Sequence, residues 1–414
     1  MSRPGFDGES LITPETIASA LAPSEVHEQR EELETGKAEL ALILSIAQQQ
    51  FEQGRESAAI IKRANADLHK LRSKLHPAVW QRLIPIAQDH PVSEFFLQDP
   101  FTRWSFQKPR GYSGDAHLLD FIYGHPSAVG SISDASPLGQ ALYDSTKDSL
   151  SSNAVRERRN LLAQYVDKIA LLRGEETEIL AIAAGHLREA NLSVAFREGR
   201  IRRWVALDQD PLSVTSIARD FDGTCIEAVE GSVRGLLTNA YGLGRFDFVY
   251  AAGLYDYLSY KVAVKLTQRC LRLLKPNGVL LFANFSPEMS DDGFMETFMN
   301  WALLQRSEAD MWSIINASVD RNAVEASVFF GANRNIVYGL LQRREGSELA
   351  APTGRTLGAT ERFEIMMEPM EQWLVWDTAT DLPAEYAGLD LVGLSHEEAL
   401  MHCERLNKAW PPGP

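Results

Sequence analysis

The sequence has few of the residues that mark several classes of protein. It contains only three cysteines, Cys225, Cys270 and Cys403, which lie far apart in the chain. This spacing provides neither a metal-binding cluster nor a disulfide framework, and it is typical of a reducing compartment. The nine histidines show no HExxH motif. We therefore predict no metal site.

Positive charge and long apolar stretches are also scarce. Lys and Arg number 41 against 56 Asp and Glu, which gives a net charge of −15. Nucleic acid is not expected as a partner, because phosphate binding requires a basic surface. The sequence shows neither an apolar N-terminal segment of the secretory kind nor a continuous apolar span. We therefore expect a cytoplasmic protein that is not inserted into a membrane and acts on a small molecule.

A phosphate-binding glycine pattern is missing where a nucleotide site is otherwise indicated. The segment Glu178–Asp210 reads as a strand ending at Gly185, a helix over 186–196, and a second strand ending in Asp208. A glycine lets the backbone approach a ligand, and an acid at the next strand accepts hydrogen bonds from ribose. A pyrophosphate needs G-x-G-x-x-G, whereas this turn has one glycine between bulky neighbours. The pattern favours a ribose-containing ligand without phosphate, of which S-adenosylmethionine (SAM) is the commonest; an ordinary turn glycine is the alternative.

The first 150 residues are predicted to be mainly helical. We expect a flexible tail over 1–24 and a helical and lid region over 25–150, whose helices pack as a hairpin on the later domain or on a second subunit, so a homodimer is an open alternative. Asn153 is a candidate contact for the methionine part of SAM. Arg156, Arg158 and Arg159 are expected to form a solvated face. The predicted helices are 26–51, 58–75, 79–88, 134–149 and 154–172.

The segment Lys108–Asp115 combines a proline, two glycines, two cations and a tyrosine, so it cannot form a regular helix or strand. One interpretation is a loop in which Asp115 is the N-cap of a helix over 116–123. The other is a lid over the ligand, with Arg110 and Tyr112 pointing inward.

Five predicted strands alternate with helices and are followed by a hairpin. A sheet closed by an antiparallel hairpin is the architecture of class I SAM-dependent methyltransferases, whereas a dehydrogenase domain continues with parallel units. We therefore predict an α/β, Rossmann-like fold with a SAM-binding domain over 151–345 and a C-terminal extension of unknown role over 346–414. The later predicted elements are helices at 211–221, 260–274, 296–316 and 395–407, a tight turn at 275–278, strands at 225–229, 246–252 and 279–285, and a hairpin of 326–330 with 336–341.

Several segments, taken together and in order, resemble a known family. They are DPFTRWSFQKPRGYSGD, AAGHLREA, ALDQDPLS, VYAAGLYDYL and LLKPNGVLLFANF, within residues 91–343. They are similar to class I methyltransferase-like proteins that include the bacterial enzymes making 3-hydroxy fatty acid methyl ester signals, such as 3-hydroxypalmitic acid methyl ester. Relatives in that group turn SAM on itself, forming azetidine-2-carboxylate or an aminocyclopropane carboxylate. The turn departs from the usual G-x-G pattern, because Ala replaces the first glycine.

The resemblance implies roles for individual residues of the site. Aromatic faces stabilise a sulfonium cation by roughly 0.5–2 kcal/mol, so tyrosines beside the reacting carbon are candidates. Asp256 and His186 are the candidate bases if the acceptor is a hydroxyl or an amine. The implied set is Ala184 and Gly185 at the methionine and ribose, Asp208 at the ribose hydroxyls, Gln209 beside the adenine, Gly231 and Ser232 at its edge, Ala252 and Gly253 under the sulfonium, and Tyr112, Tyr255 and Tyr257 near the reacting carbon.

The leading hypothesis is a SAM-dependent transferase that methylates a small carboxylic acid or acyl substrate in signal or secondary metabolism, by in-line displacement in a positioned complex. The alternative is a cyclase that forms azetidine-2-carboxylate, or an aminocyclopropane carboxylate, and methylthioadenosine from SAM. A non-catalytic SAM-binding protein is the third hypothesis, and a nicotinamide-dependent dehydrogenase is the least favoured.

Overall fold

The computed structural model describes residues 14–347, 362–367, 373–379, 382–386, 389–391 and 394–409. These residues form two compact units. The first unit contains residues 14–107, 129–149 and 290–302, and the second contains residues 108–128, 150–289 and the described residues from 303 onward. The loop that was predicted as a lid therefore belongs to the second unit. Residues 1–13 of the predicted tail lie outside the described residues, and the first helix already begins at Pro14.

The element order is mainly helical up to the first strand. The described helices are α1 Pro14–Glu52, α2 Ser57–Lys74, α3 Pro77–Gln88, α4 Ser93–Phe96, α5 Pro100–Gln107, α6 Ala116–Tyr123, α7 Val129–Ser133, α8 Pro137–Thr146, α9 Leu150–Arg173, α10 Val194–Arg197, α11 Pro211–Asp220, α12 Val233–Leu237, α13 Tyr260–Arg272, α14 Asp292–Thr297, α15 Glu308–Ser318 and α16 His396–Ala409. The described strands are β1 Glu178–Ile182, β2 Arg203–Asp208, β3 Ile226–Glu230, β4 Phe246–Ala251, β5 Leu274–Phe285, β6 Val324–Phe330, β7 Ile336–Arg343, β8 Phe363–Met367, β9 Trp373–Asp377, β10 Leu382–Pro383, β11 Glu385–Tyr386 and β12 Leu389–Asp390.

The first unit is built from helices alone among its described residues. Leu33, Leu40 and Leu44 of α1 are buried, as expected for an apolar face that recurs at helical spacing. Helix α1 packs against α2 and α3. Burial of this face, rather than helix propensity alone, therefore stabilises the long first helix.

Helix α14 belongs to the first unit although it lies between β5 and β6 in sequence. Arg72 forms ion pairs with Asp292 and Glu296, each at 2.8 Å, and the Trp80 indole donates to Glu296 Oε2 at 2.5 Å. Gly293 lies directly against the backbone of Leu68, with no room for a Cβ atom. The prediction of one helix over 296–316 is wrong, because α14 ends at Thr297 and α15 begins only at Glu308.

The second unit contains a seven-stranded sheet in the order β3-β2-β1-β4-β5-β7-β6. The first five strands are parallel, and β7 runs antiparallel between β5 and β6. This is the class I methyltransferase sheet that the sequence predicts. Strand β4 is buried at every position, as expected for a central parallel strand with both faces covered. The direction of strand order reverses between β1 and β4, where ligands bind in open α/β sheets.

The remaining features are the start of β5 and the C-terminal extension. The segment 275–278, predicted as a tight turn, lies within β5 and coincides with a register shift between Phe246 and Phe248 of β4. In the C-terminal extension, β8, β9 and β10 form a separate antiparallel sheet, and α16 packs against β8 and β9.

Among the described residues, none of the helices combines the length and apolar character that crossing a bilayer requires.

Candidate ligand-binding site

A narrow pocket of about 60 Å³ opens where the strand order reverses. It lies beside the carboxyl ends of β1 and β4, the two strands between which a ligand is expected. Helices α6 and α9 form its other walls. Residues of these four elements and their loops line it, among them Tyr123, Arg158, Arg159, Ala184, Gly185, His186, Glu189, Tyr250, Ala252 and Gly253.

The loop after β1 has an unusual backbone. Ala183, Gly185 and Leu187 have φ angles of 52°, 57° and 50°, in the left-handed region that non-glycine residues rarely adopt. A side chain on Gly185 would also approach Ala116 of α6, at 3.3 Å from Cβ to Cβ. Such conformations persist only where the surrounding structure holds them, and they cluster at ligand sites. The single glycine thus allows a close approach between the loop and α6.

The predicted helix over 186–196 is wrong, because the structure has only a short helical turn and α10 in this segment. Its residues turn inward instead. Arg188 forms a two-point ion pair with the buried Asp120 of α6, with Nε–Oδ1 and Nη2–Oδ2 distances of 2.8 Å. Glu189 accepts a hydrogen bond at 2.6 Å from the hydroxyl of Tyr250 in β4. These long-range contacts outweigh the local preference for a helix.

Asp208 lies at the end of β2 with both carboxylate oxygens fixed by the backbone. Oδ2 accepts from the N–H of Gly185 at 2.7 Å, and Oδ1 accepts from the N–H of Asp210 at 2.9 Å. A carboxylate has about four acceptor positions, so two hydrogen bonds leave acceptor capacity for a ligand. Burial raises the pKa of Asp208 to about 6, although the two backbone N–H groups oppose this shift. The side chain therefore joins the β1 loop to the end of β2.

The segment Lys108–Asp115 lies against this edge of the sheet. Arg110 Nη1 donates to Asp210 Oδ2 at 2.6 Å and to Ser213 Oγ at 3.1 Å, and the Tyr112 hydroxyl donates to the same Asp210 oxygen at 3.1 Å. The predicted N-cap is confirmed, since Asp115 accepts from the first N–H groups of α6. The two interpretations of the segment are thus compatible: a capped loop also places Arg110 and Tyr112 beside the end of β2.

His186 connects the segment to α6. Its Nδ1 lies 2.9 Å from Asp120 Oδ2, and its Nε2 lies 3.2 Å from Arg110 Nη2. Because the guanidinium is a donor only, Nε2 accepts from Arg110. Nδ1 lies 3.2 Å from Arg188 Nη2 as well, but its shorter contact with the Asp120 carboxylate assigns the proton to Nδ1 from the hydrogen-bond network. The acceptor atom that a general base needs is therefore occupied by Arg110.

Tyr255 and Asp256 do not line the pocket. The Tyr255 ring is fully buried and stacks on Phe282 with centroids 4.5 Å apart, and its hydroxyl lies 2.9 Å from Thr267 Oγ1. Asp256 accepts from the N–H of Phe285 at 2.6 Å, and burial raises its pKa to about 6. The catalytic roles expected for these two residues are dropped, because both side chains hold the core beneath the strand ends.

The expected adenine-edge residues lie against a tyrosine that the sequence did not single out. An added Cβ on Gly231 would lie 2.9 Å from Tyr241 Cζ, and the N–H of Ser232 donates to the Tyr241 hydroxyl at 2.9 Å. Ser232 is also the N-cap of α12. Gln209 is half-buried between Asp208 and Asp210. These residues stay predictions for the adenine, with Tyr241 added as their neighbour.

The most informative missed residue is Arg158. Its predicted solvated face is wrong, because the residue is only 5% exposed and lines the pocket. It lies three residues after Val155 and four before Leu162, inside the apolar stripe of α9, and this spacing was the available signal. Asn153 instead lies on the exposed side of α9, where its Oδ1 accepts from Arg156 at 2.6 Å. The contact expected from Asn153 is therefore dropped.

The comparisons with known proteins identify no family for the chain. No family model matches, and a search of curated proteins finds no significant match. Similar solved structures include a possible exported protein from Bordetella parapertussis, with 14% identity and a TM-score of 0.46, covering 75% of this chain and 97% of that one. A SAM-bound amino pentose methyltransferase from Micromonospora echinaspora has 14% identity and a TM-score of 0.35, covering 47% and 97%. The N-methyltransferase NodS from Bradyrhizobium japonicum, solved with S-adenosyl-L-homocysteine, has 16% identity and a TM-score of 0.34, covering 48% and 90%.

Proposed function

We propose that the second unit binds SAM and that the protein is a SAM-dependent methyltransferase. The observation that carries the proposal is the position of Asp208 at the end of β2, hydrogen-bonded to Gly185 of the neighbouring β1 loop. Its remaining acceptor capacity suits the two hydroxyls of a ribose. The loop has one glycine rather than the phosphate-binding pattern of a dinucleotide site. In this proposal, residues 151–345 bind SAM and residues 108–115 cover it.

The residues at this edge fit such a ligand in a definite direction. Asp208 would accept from the ribose, and Gln209, Gly231 and Ser232 would lie towards the adenine. Ala184 and Gly253 would face the opposite, methionyl end, because both line the pocket between β1 and β4. When bound, SAM supplies an electrophilic methyl group, so the protein mainly has to position the acceptor.

The state of the predicted bases favours an acceptor that is already a nucleophile. Nε2 of His186 accepts from Arg110, and Asp256 accepts from the backbone of β5. Neither group offers a free base to the pocket, and the hydroxyl of Tyr255 lies against Thr267. A carboxylate acceptor needs no proton removal before methyl transfer. We therefore propose a small carboxylic acid or acyl substrate, as the sequence resemblance to the fatty acid methyl ester enzymes implies.

Mass spectrometry of the nucleoside product tests this proposal. Purified protein is incubated with SAM alone and then with a panel of 3-hydroxy fatty acids and small carboxylic acids. S-adenosylhomocysteine together with a methyl ester, formed only when an acid is added, is the expected result. Methylthioadenosine formed from SAM alone would contradict methyl transfer and indicate cyclisation. Absence of SAM binding in calorimetry would refute the proposed function as a whole.

Two variants accompany these incubations: Asp208→Asn tests the ribose site, and Asp222→Asn is its matched control. The first variant removes the charge that is proposed to hold the ribose, while Asp222→Asn changes an exposed acid of the same unit. Product formation should fall in the first variant and be unchanged in the second.

A further inference from the structure

The pocket contains a buried guanidinium without a partner. Arg158 is 5% exposed, and it forms no hydrogen bond or close ion pair with the residues that the structure describes, although its charge acts at longer range on the buried carboxyls of Asp256 and Glu189. A buried charge of this kind is costly unless it is paired. Its Nη2 lies 3.7 Å from the position of a Cβ atom on Gly253, at the end of β4. The unpaired donors therefore lie in the pocket itself.

A second arginine adds positive charge at the same wall. Nε of Arg159 is fully buried and has no hydrogen-bond partner in the described part of the chain. Its guanidinium lies over the ring of Tyr123, 4.5 Å from the centroid. Both arginines come from adjacent positions of α9 and line the same pocket. Two positive charges at one wall fit an anion, and a planar carboxylate matches the geometry of the Arg158 guanidinium.

The pocket also contains a buried acid. Glu189 is 7% exposed and lines the pocket with the two arginines, yet it pairs with neither. Oε1 accepts from the Tyr250 hydroxyl at 2.6 Å. A carboxylate accepts more than one hydrogen bond, so Glu189 can also bind an ammonium group. The pocket thus offers two guanidinium groups and one carboxylate without an ion pair between them.

We propose that this pocket binds an α-amino acid group, with Arg158 as the counter-charge of its carboxylate, Arg159 as a second positive charge and Glu189 as the partner of its ammonium. The inference rests on the proposed function, because the group would be the methionyl end of SAM. Gly185 contributes both to this pocket and, through its N–H, to Asp208. One loop therefore links the amino acid pocket to the residue proposed for ribose. An acceptor carboxylate is the competing source of the same chemistry, but it would bring no ammonium group for Glu189, whose Oε1 already accepts from Tyr250.

Two nucleosides separate the amino acid pocket from the ribose site. S-adenosylhomocysteine carries the α-amino acid group, and methylthioadenosine lacks it while retaining the adenosine. Their dissociation constants are measured by calorimetry for the wild-type protein and for the variants Arg158→Gln, Arg158→Lys and Glu189→Gln. Lys168→Gln is the matched control, because it removes a positive charge from an exposed position of the same helix, about 15 Å away at 1.5 Å per residue.

Arg158→Gln is expected to weaken S-adenosylhomocysteine binding by roughly 10- to 100-fold, since a hydrogen-bonded charge is lost. It should leave methylthioadenosine binding within about twofold, which also reports that the variant is folded. Arg158→Lys should lose less, and Glu189→Gln should weaken S-adenosylhomocysteine alone. If Arg158→Gln does not fold, the Lys and Glu189 variants decide the matter in the same way.

If the wild-type protein and Arg158→Gln bind S-adenosylhomocysteine with equal affinity, the inference is overturned while the proposed function stays intact. Equal losses for both nucleosides would overturn it too, because they would indicate a structural role. If the full chain binds neither nucleoside, the proposed function fails first, and this inference fails with it.

Discussion

The substitution Asp208→Asn gives the sharpest prediction for the ribose site. In the present structure both oxygens of Asp208 accept backbone hydrogen bonds, from Gly185 at 2.7 Å and from Asp210 at 2.9 Å. An amide in this place presents an NH2 group to one of those donors and loses the negative charge. We expect a cost in folding stability of about 1–3 kcal/mol, because one buried N–H is left unpaired.

The expected loss of ligand affinity is worked out from the same geometry. Hydrogen bonds from the ribose hydroxyls to an ionised carboxylate contribute about 1.5–3 kcal/mol. At about 1.4 kcal/mol per factor of ten, the dissociation constant of adenosine should rise by roughly 10- to 150-fold. The dissociation constant of 2′,3′-dideoxyadenosine should hardly change, since that nucleoside has no hydroxyls for Asp208 to bind.

Calorimetry with both nucleosides on both proteins forms a double cycle that separates this effect from a change in folding. Asp222→Asn, at an exposed position, is the control for the loss of one charge. Equal losses for adenosine and the dideoxy analogue would refute the ribose assignment, because the effect would then act on the whole pocket. Unchanged adenosine affinity would refute it as well.

Three further predictions concern the lid, pH and the first unit. Tyr112→Phe removes the hydroxyl that donates to Asp210 at 3.1 Å. The dissociation rate of S-adenosylhomocysteine, measured by stopped flow, should then rise about fivefold, which is equivalent to about 1 kcal/mol. An unchanged rate would contradict closure of the site by residues 108–115. Since burial raises the pKa of Asp208 to about 6, its charge is present above that pH and lost below it, and nucleoside affinity measured from pH 8 to pH 5 should fall about tenfold between pH 7 and pH 5. The Asp208→Asn variant should show a flatter profile, and an equally steep one would assign the titration to another group. Gly293→Ala would place a Cβ 2.6 Å from the α2 backbone, and in a denaturant titration it should lower the free energy of unfolding by at least about 1 kcal/mol. The control is Gly130→Ala, whose added Cβ meets nothing within 4 Å and which should have little effect.

The sheet could be predicted from sequence because its signal is local. Strand β4 is apolar at every position except Asp247 and is buried throughout, and such strands read as central parallel strands. The turn residues between β6 and β7 separate two short apolar segments, which predicted the antiparallel hairpin. The order of the strands in space, β3-β2-β1-β4-β5-β7-β6, differs from their order in the chain and was expected only through the likeness of the alternating pattern to a methyltransferase sheet. Glycine and aspartate after β1 and β2 were found from the local signal, since strand ends are fixed once the strands are known.

The side chains around the pocket could not be predicted as well. The helix expected at 186–196 does not form, because Arg188 and Glu189 bind Asp120 and Tyr250 from distant parts of the chain. Local patterns do not contain such contacts. Tyr255 was placed near the reacting carbon by its distance from β4 in sequence, yet its ring turns into the core.

The burial of Arg158 was not predicted, because the number of charged residues near the start of α9 was given more weight than the helical phase of this residue. A cluster of arginines near a helix start is usually solvated, but only Arg158 shares the apolar stripe of α9 with Val155 and Leu162. The helical phase of a charged residue is therefore a better guide to burial than the number of charges beside it. That phase places the guanidinium in the pocket between β1 and β4.

A crystal structure of the protein with S-adenosylhomocysteine tests the central claim most directly. We expect both ribose hydroxyls to lie within hydrogen-bonding distance of the Asp208 carboxylate, with the amino acid end towards Gly253. A nucleoside bound elsewhere, or an Asp208 carboxylate turned away from the bound ribose, would contradict it.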